Sequence, residues 1–456
     1  MKSITIKKLI EDIQNKNLCL AVLGSGYVGL PTAALFAETG FKVIAIDLKH
    51  EVVKAINNGL SPVNEPGLSK LVKRNVEAGR LRATQNTTEA LSQADSVIIS
   101  VQTPIDKKKK PNLRFLEKAL KKIGRNLKKG TLVVISSTVP PGTMLGKVKS
   151  TLESLSGLKA ETDFYLTYVP ERIAPGKALK EFVESPRLIG GIGPNSTKLA
   201  TELFRTVCKK VIETDASTAE VAKLAENTFR DVNIAFANQL ALICEHQGVD
   251  VKNVIELANT HPRVNIHTPG PGVGGPCLTK DPYLLTYQSK PLNHDLIKTA
   301  RKINDHMPEH IIKLTMQAIK TAGKNIQNSK IAVLGTAYKA NVDDSRQSPS
   351  KTIVHKLIKL GSKIVTYDPY CKESFGAEKA KTLQQALEKA DCTIISTDHA
   401  EFKNLNLKEI VTLMNDKPAI VDGRRIVNPN EAEKLGFIYY GTGFNKRSSE
   451  PLEKPE

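Results

Sequence analysis

The chain has 456 residues, 40% hydrophobic and 25% charged, an ordinary globular composition on a length too great for one core, so two or three domains are expected. Its formal net charge is +19, yet aromatic residues make up 5% and Trp is absent; bases would find little to stack on, and an anionic small ligand accounts for the charge better than nucleic acid does. Six scattered cysteines (Cys19, Cys208, Cys244, Cys277, Cys371, Cys392), with no C-x-x-C and no His/Cys cluster, argue for a reducing compartment and against structural zinc.

Residues 1–17 are charged and amphipathic without an apolar signal core, which predicts a short extra helix and a cytoplasmic protein. An apolar strand, Leu18 to Leu23, leads into Gly24-Ser25-Gly26-Tyr27-Val28-Gly29, a helical run from Leu30 to Thr39, and a second strand, Phe41 to Ile46, ending at Asp47. Leu18 to Ala37 carries no charge and is about long enough to cross a bilayer, but its glycines, proline and strand-turn-helix pattern fit a soluble unit, and no membrane association is expected. G-x-G-x-x-G in this setting is a dinucleotide fingerprint: Gly24 makes the turn, Gly26 admits the pyrophosphate, Gly29 lets helix and strand pack. Asp47 suits the adenosine ribose and repels a 2′-phosphate, so the predicted cofactor is NAD; Lys49, two residues on, pulls the other way.

Ser96 to Val101, Leu132 to Ser136 and Phe164 to Val169 read as buried strands. The polar loops after them begin at Gln102, Ser137 and Pro170, and as carboxyl-end loops of one sheet they should lie near the nicotinamide. Asp215 to Gln247 is one long helix without Pro or Gly, of the kind that joins domains or forms a subunit interface, and Lys223 and Asn227 share a face of it. Helical pattern continues to about Gly323, interrupted by Gly270-Pro271-Gly272-Val273-Gly274-Gly275-Pro276-Cys277-Leu278-Thr279-Lys280-Asp281-Pro282. Those glycines let backbone approach a ligand and present the Cys277 thiol beside Lys280 and Asp281; alone, the stretch reads equally as a turn-rich loop with an incidental cysteine. His261, His267 and His294 are not spaced as ligands, and no metal is expected.

The last third repeats the first. Lys330 to Gly335 echoes the first strand, Lys363 to Asp368 the strand ending at Asp47, and Ala390 to Ser396 the segment Ala94 to Ser100. This is a second Rossmann-like unit lacking the full glycine fingerprint, suited to a different nucleotide. The predicted fold is α/β, two Rossmann-like doubly wound domains joined by a long central helix and a helical middle. Boundaries are expected at 18–212, 213–325 and 326–447, with a disordered tail at 448–456.

The fingerprint, Ser137-Thr138-Val139-Pro140, Lys223 with Asn227, the Cys277–Asp281 loop, Lys339 with Arg346, and Asp422-Gly423-Arg424-Arg425 together resemble the UDP-glucose/GDP-mannose dehydrogenase family from about Leu18 to Arg447. The segments Glu226 to Asn238 and Asn259 to Ile266, and Pro170-Glu171-Arg172 with Pro175-Gly176, resemble the branch acting on UDP-N-acetylhexosamines. Pro276 stands where that branch commonly has His, and Thr279-Lys280 is more like the UDP-glucose branch.

The resemblance implies four-electron oxidation of a sugar C6 alcohol with two NAD+. UDP-N-acetyl-D-mannosamine is the first expectation, UDP-N-acetylglucosamine and UDP-glucose the alternatives. It casts Cys277 as the nucleophile holding the intermediate, Lys223 and Asn227 as oxyanion stabilisers, Asp281 as a proton-transfer partner holding water or a lysine, Glu171 as the base toward a thioester, and Thr138 as a hydroxyl on water or nicotinamide. Lys223 would otherwise read as a solvated helix lysine, and Glu171 as a salt bridge to Arg172. Cofactor contacts are expected from Gly24, Gly26, Tyr27, Val28, Gly29, Asp47, Thr103, Thr138 and Arg346. Substrate contacts are expected from Glu171, Arg172, Lys223, Asn227, Arg230, Arg263, Gly274, Lys339 and Arg424, with Arg263 reaching a neighbouring subunit, so that a homodimer is the smallest active form. A two-electron hydroxyacid dehydrogenase would have no use for Cys277 or a second Rossmann unit, and a non-enzymatic sensor no use for the reactive set.

Overall fold

The structure is a computed structural model that describes residues 6–289 and 291–444; the expected disordered tail lies outside them. The chain forms two compact units, Met1–Glu226 with Tyr283–Leu292, and Asn227–Pro282 with Asn293–Glu456.

In the first unit eight strands form one sheet: β1 (Cys19–Leu23), β2 (Lys42–Ile46), β3 (Leu81–Thr84), β4 (Ser96–Ile99), β5 (Leu132–Ile135), β6 (Tyr165–Tyr168), β7 (Arg187–Gly191) and β8 (Val211–Asp215), in spatial order β3-β2-β1-β4-β5-β6-β7-β8. All neighbours are parallel except β6 and β7. Successive residues of a strand point to opposite faces, and both faces are covered: Leu20, Val22, Val43 and Ala45 enter one core, Ala21, Leu23, Ile44 and Ile46 the other. Phe36, on the Gly29–Glu38 helix, meets Phe41 and Phe204 edge to face at centroid distances of 6.1 and 5.4 Å. The N-terminal helix runs Ile6–Gln14 and buries Ile13. The uncharged stretch from Leu18 is thus a strand, a turn and a ten-residue helix. Among the described residues no helix is long and apolar enough to cross a membrane.

The second unit has six parallel strands, β9 (Lys330–Leu334), β10 (Lys363–Tyr367), β11 (Glu378–Lys379), β12 (Cys392–Ile395), β13 (Ala419–Asp422) and β14 (Ile438–Gly441), in order β11-β10-β9-β12-β13-β14. The repetition expected from sequence extends to single hydrogen bonds. The N–H of Gly24 donates to the Ile46 carbonyl at 2.8 Å, and that of Gly335 to Tyr367 at 2.8 Å; both glycines have φ of +93°. The N–H of Cys19 donates to Asp95 Oδ2 at 2.9 Å, and that of Lys330 to Asp391 Oδ2 at 2.9 Å, each carboxylate fixing the start of a first strand. The long helix runs Ala216–Gln247, and Asp215, expected within it, ends β8 and accepts the Thr218 N–H as its cap. A second long helix, Asp295–Thr321, packs on the six-stranded sheet through Ile311, Leu314 and Ile319.

Candidate active site

In the first unit the three fingerprint glycines differ as their roles require. A Cβ on Gly24 would stand 2.3 Å from the Ser100 carbonyl oxygen, and one on Gly29 only 1.7 Å from that of Gly24, while a Cβ on Gly26 would meet nothing within 4 Å. The turn is therefore closed on the protein side and open at Gly26, the space a dinucleotide pyrophosphate requires. Tyr27 and Val28 follow, half-buried, at the start of the helix. Asp47 anchors the turn by accepting the Ser25 N–H on Oδ2 at 2.9 Å and the Lys49 N–H on Oδ1 at 3.0 Å.

β4, β5 and β6 are adjacent and parallel, so the three polar loops leave one rim of the sheet together. Thr103, buried, donates its hydroxyl to the Thr138 carbonyl at 2.5 Å and joins the first two loops. In the third, Glu171 does not pair with Arg172. Its partner is Arg187 on β7, Nη1 to Oε1 at 2.8 Å, with the two side chains 2% and 10% exposed. Arg172 pairs with Glu226 instead, at 2.6 Å. The difference is one of reach: the N–H groups of Arg172 and Ile173 turn back onto Glu171 Oε1, which sends the Arg172 side chain away. Lys223 is no solvated helix lysine. It is 7% exposed and makes no ion pair among the described residues.

In the second unit the glycine loop is shaped by what surrounds it. A Cβ at Gly274 would lie 2.7 Å from Tyr338 Cβ and 2.8 Å from the Gln347 carbonyl oxygen, and one at Gly275 2.6 Å from the Tyr338 ring. At Gly270 the near neighbour is Arg424 Nη1, 3.1 Å away. The Gly275 N–H donates to the Arg346 carbonyl at 3.0 Å. The Tyr338–Pro349 segment after β9 thus clasps the loop, and Cys277 emerges as the one exposed cysteine of the six, none of them in a disulfide. Arg346 forks onto Asp344, Nε to Oδ1 at 2.8 Å and Nη2 to Oδ2 at 2.6 Å. The Tyr338 phenol is pushed up to about 12, first by burial and then by the charges of Asp344 and Cys277, against Arg346 and Arg230. Arg230, Arg346, Asp344 and the Cys277 thiol therefore all lie close enough to Tyr338 to act on its phenol.

Asp281 is fully buried and accepts from Asn227 Nδ2 at 2.6 Å on Oδ2 and from Lys280 Nζ at 2.5 Å on Oδ1. The lysine it holds is its chain neighbour. Arg424 donates Nε to the Ser396 carbonyl at 3.1 Å; burial lowers its pKa, and Asp398 and Asp422 only partly offset that, so a nearby anion would be favoured. Lys339 is exposed, and Arg263 is exposed in the loop after the Val251–Ala258 helix.

Three residues that sequence reasoning passed over organise these loops: Arg187, Tyr338 and Glu220. Glu220 is 0% exposed and accepts the N–H groups of Gly142 and Met144 at 2.7 and 2.8 Å. An acid three residues before Lys223, between Ala219 and Leu224, was the available signal.

The comparisons with known proteins follow the same plan. Residues 18–208 match the NAD binding domain of the UDP-glucose/GDP-mannose dehydrogenase family, 217–306 its central domain, and 332–429 its UDP binding domain. A UDP-N-acetyl-D-mannosamine dehydrogenase of Pyrococcus horikoshii is 43% identical over 93% of this chain and 99% of its own. The solved UDP-D-ManNAc dehydrogenase structure from that organism superposes with a TM-score of 0.88 at 43% identity, covering 94% of this chain and 100% of the other. An NDP-N-acetyl-D-galactosaminuronic acid dehydrogenase of Methanosarcina mazei Go1 gives 0.82 at 36% identity, over 96% and 98%. With the fingerprint, the second Rossmann-like sheet and the cysteine loop in place, the chain belongs to the UDP-glucose/GDP-mannose dehydrogenase family and is an NAD-dependent nucleotide-sugar dehydrogenase.

Proposed function

We propose that the chain oxidises the C6 hydroxymethyl group of a UDP-N-acetylhexosamine, UDP-N-acetyl-D-mannosamine first, to the carboxylate. The observation that carries this is the exposed Cys277 thiol, delivered by a glycine loop clasped between Tyr338, Gln347 and Arg424 in the unit with the UDP-binding match. The balance is one alcohol, two NAD+ and one water giving one carboxylate, two NADH and three protons. Bound NAD+ supplies the hydride acceptor, and the open space at Gly26, with Asp47 behind the turn, fits its pyrophosphate and ribose. Thr103, Thr138, Tyr27 and Val28 border that cofactor, and we assign Arg346 to it as well.

Lys223 and Asn227 stabilise the alkoxide that develops at O6. Cys277 Sγ adds to the aldehyde carbon while the aldehyde oxygen gains a proton in place of the one the thiol gives up, and the resulting thiohemiacetal stays bound until it loses a hydride from carbon and its hydroxyl proton to become the thioester. Asp281, through Asn227 and Lys280, holds these polar groups in place and passes the proton. Glu171 takes a proton from water as that water attacks the thioester carbon, and Cys277 departs as thiolate. Arg424, Lys339, Arg230 and Arg172 hold the substrate's phosphates and hydroxyls, and Gly274 gives the sugar room. The division into 18–212, 213–325 and 326–447 serves as the working assignment of NAD-binding, central and UDP-sugar-binding parts.

A homodimer is the smallest form we assign, with Arg263 offered to the neighbouring copy. Phe229, Phe236 and Ile243 recur every seventh residue on the long helix and are 64%, 54% and 49% exposed, an apolar stripe that association would cover. We assign the reaction to the cytoplasm, where reduced thiols persist.

The deciding assay is turnover of purified protein with UDP-N-acetyl-D-mannosamine, its gluco and galacto epimers, and UDP-glucose, each with NAD+ or NADP+, counting reduced cofactor per sugar. Two NADH per UDP-N-acetyl-D-mannosamine, formed fastest of the panel, is expected. Fastest oxidation of UDP-glucose would overturn the branch, and equal use of NADP+ the reading of Asp47.

A further inference from the structure

We infer that Glu220 is a positioning residue that holds the loop Ser137–Gly142, and with it Thr138, to the helix that carries Lys223. The inference rests on the reading that Thr138 borders the cofactor.

The loop is fixed at two points. Near its start the Thr138 carbonyl accepts the Thr103 hydroxyl at 2.5 Å. Beyond its stiff Pro140-Pro141 pair, Gly142 takes φ of +78° and the Thr143 hydroxyl donates to the Pro140 carbonyl at 2.6 Å, which turns the N–H groups of Gly142 and Met144 onto Glu220. Oε2 accepts the first at 2.7 Å and Oε1 the second at 2.8 Å. Two carboxylate oxygens satisfying two N–H groups is an arrangement neither an amide nor a protonated acid reproduces, since each offers a donor where an acceptor is needed. Glu220 is therefore competent as the anion, although it is fully buried. Gly142, Thr143 and Met144 face it with backbone N–H groups, and Asp215, at the end of β8, adds a like charge. Burial is the largest influence, and the carboxyl is raised to about 7. Proton uptake just below neutrality then releases one of the two N–H groups and slackens the loop. Lys223 lies one helical turn beyond Glu220, so the same carboxylate ties the cofactor-side loop to the helix bearing the oxyanion stabiliser.

The test is NADH affinity of the full chain without sugar, by fluorescence titration from about pH 5.5 to about pH 9, for wild type, Glu220→Gln and Thr138→Val. In wild type the Kd is expected to rise about tenfold on acidification, with a midpoint near the value of about 7 given above. Glu220→Gln should bind about tenfold more weakly at the alkaline end and show no such transition. Thr138→Val should weaken binding but keep the transition. A Glu220→Gln variant with wild-type affinity and pH dependence, beside a weakened Thr138→Val, overturns the inference and leaves the reading of Thr138 standing. Wild-type affinity in both variants removes the loop from the cofactor site and the inference with it. Should Glu220→Gln fail to fold, the wild-type titration decides alone, and a flat profile overturns the proposal.

Discussion

Glu171 meets its neighbours through one oxygen: Oε1 takes Arg187 and the N–H groups of Arg172 and Ile173, and among the described residues no hydrogen bond falls on Oε2. The Arg187 pair fixes the orientation of the carboxylate, as a base that must act on a bound ester needs. Glu171→Gln should accordingly give a burst of NADH and then stop, with the sugar attached at Cys277 by mass spectrometry. Cys277→Ser should bind NADH normally yet lose turnover to acid by roughly a thousandfold, because an alcohol ionises far less readily and leaves less well. Wild-type turnover by the serine variant would sink the covalent route. Glu220 also sets a trade between stability and function. Its folded pKa of about 7 lies above the ordinary carboxyl value of 4.5, so the native state binds the extra proton between those values and stability falls as pH rises through that window. Above it the charged buried carboxylate costs on the order of 3 kcal/mol. Glu220→Gln escapes that cost, so its Tm relative to wild type should climb from pH 5 to pH 8, even as NADH binding weakens; a constant difference would refute this linkage.

At the scale of elements, the long helix carries two unrelated patterns at once. Lys223 and Asn227 are buried four residues apart, while Phe229, Phe236 and Ile243 project to solvent every seven. Phe236→Glu should lower the oligomeric state in sedimentation while leaving the NADH affinity of the monomer unchanged; an unaltered assembly would exclude the stripe as its interface. Central strands such as β1, β2, β4, β5 and β6 were legible because strands buried on both faces read as unbroken apolar runs. β8 was not, since Val211–Asp215 is a mostly exposed edge strand whose sequence, VIETD, shows no such run. The thiol loop was legible in its glycines but not in its cause: Tyr338, some sixty residues on, is what leaves no room for a Cβ at Gly274 and Gly275. Partners distant in sequence, as Arg187 is from Glu171 or Gly142 from Glu220, leave no periodicity to read, and for that reason these organising residues escaped.

Across the whole molecule the same first-crossover design is used twice and finished differently. In the first unit Asp47 spends its oxygens on the Ser25 and Lys49 N–H groups and remains half-exposed. In the second, Asp368 is buried: Oδ2 accepts from Thr336, Ala337 and His399, Oδ1 from Tyr370 and Cys371. The Asn341 N–H donates to His399 Nδ1 at 2.9 Å, which turns Nε2 toward Asp368 at 3.1 Å. An acid so fully engaged has nothing left for a ribose. The repeat was readable from sequence, but the burial of its second acid was not, because Asp47 and Asp368 are the same letter in the same place.

The distribution of thiols makes the protein its own gauge of working centres. Cys208, Cys244, Cys371 and Cys392 are buried, and Cys19 is half-buried with its pKa raised by burial, so an alkylating dye should react first at Cys277. One fast equivalent per chain, abolished in Cys277→Ser, would calibrate a titration in which the dye taken up before activity vanishes counts the catalytic centres in each assembly. Loss of all activity at half an equivalent would mean that the copies fire in alternation rather than independently.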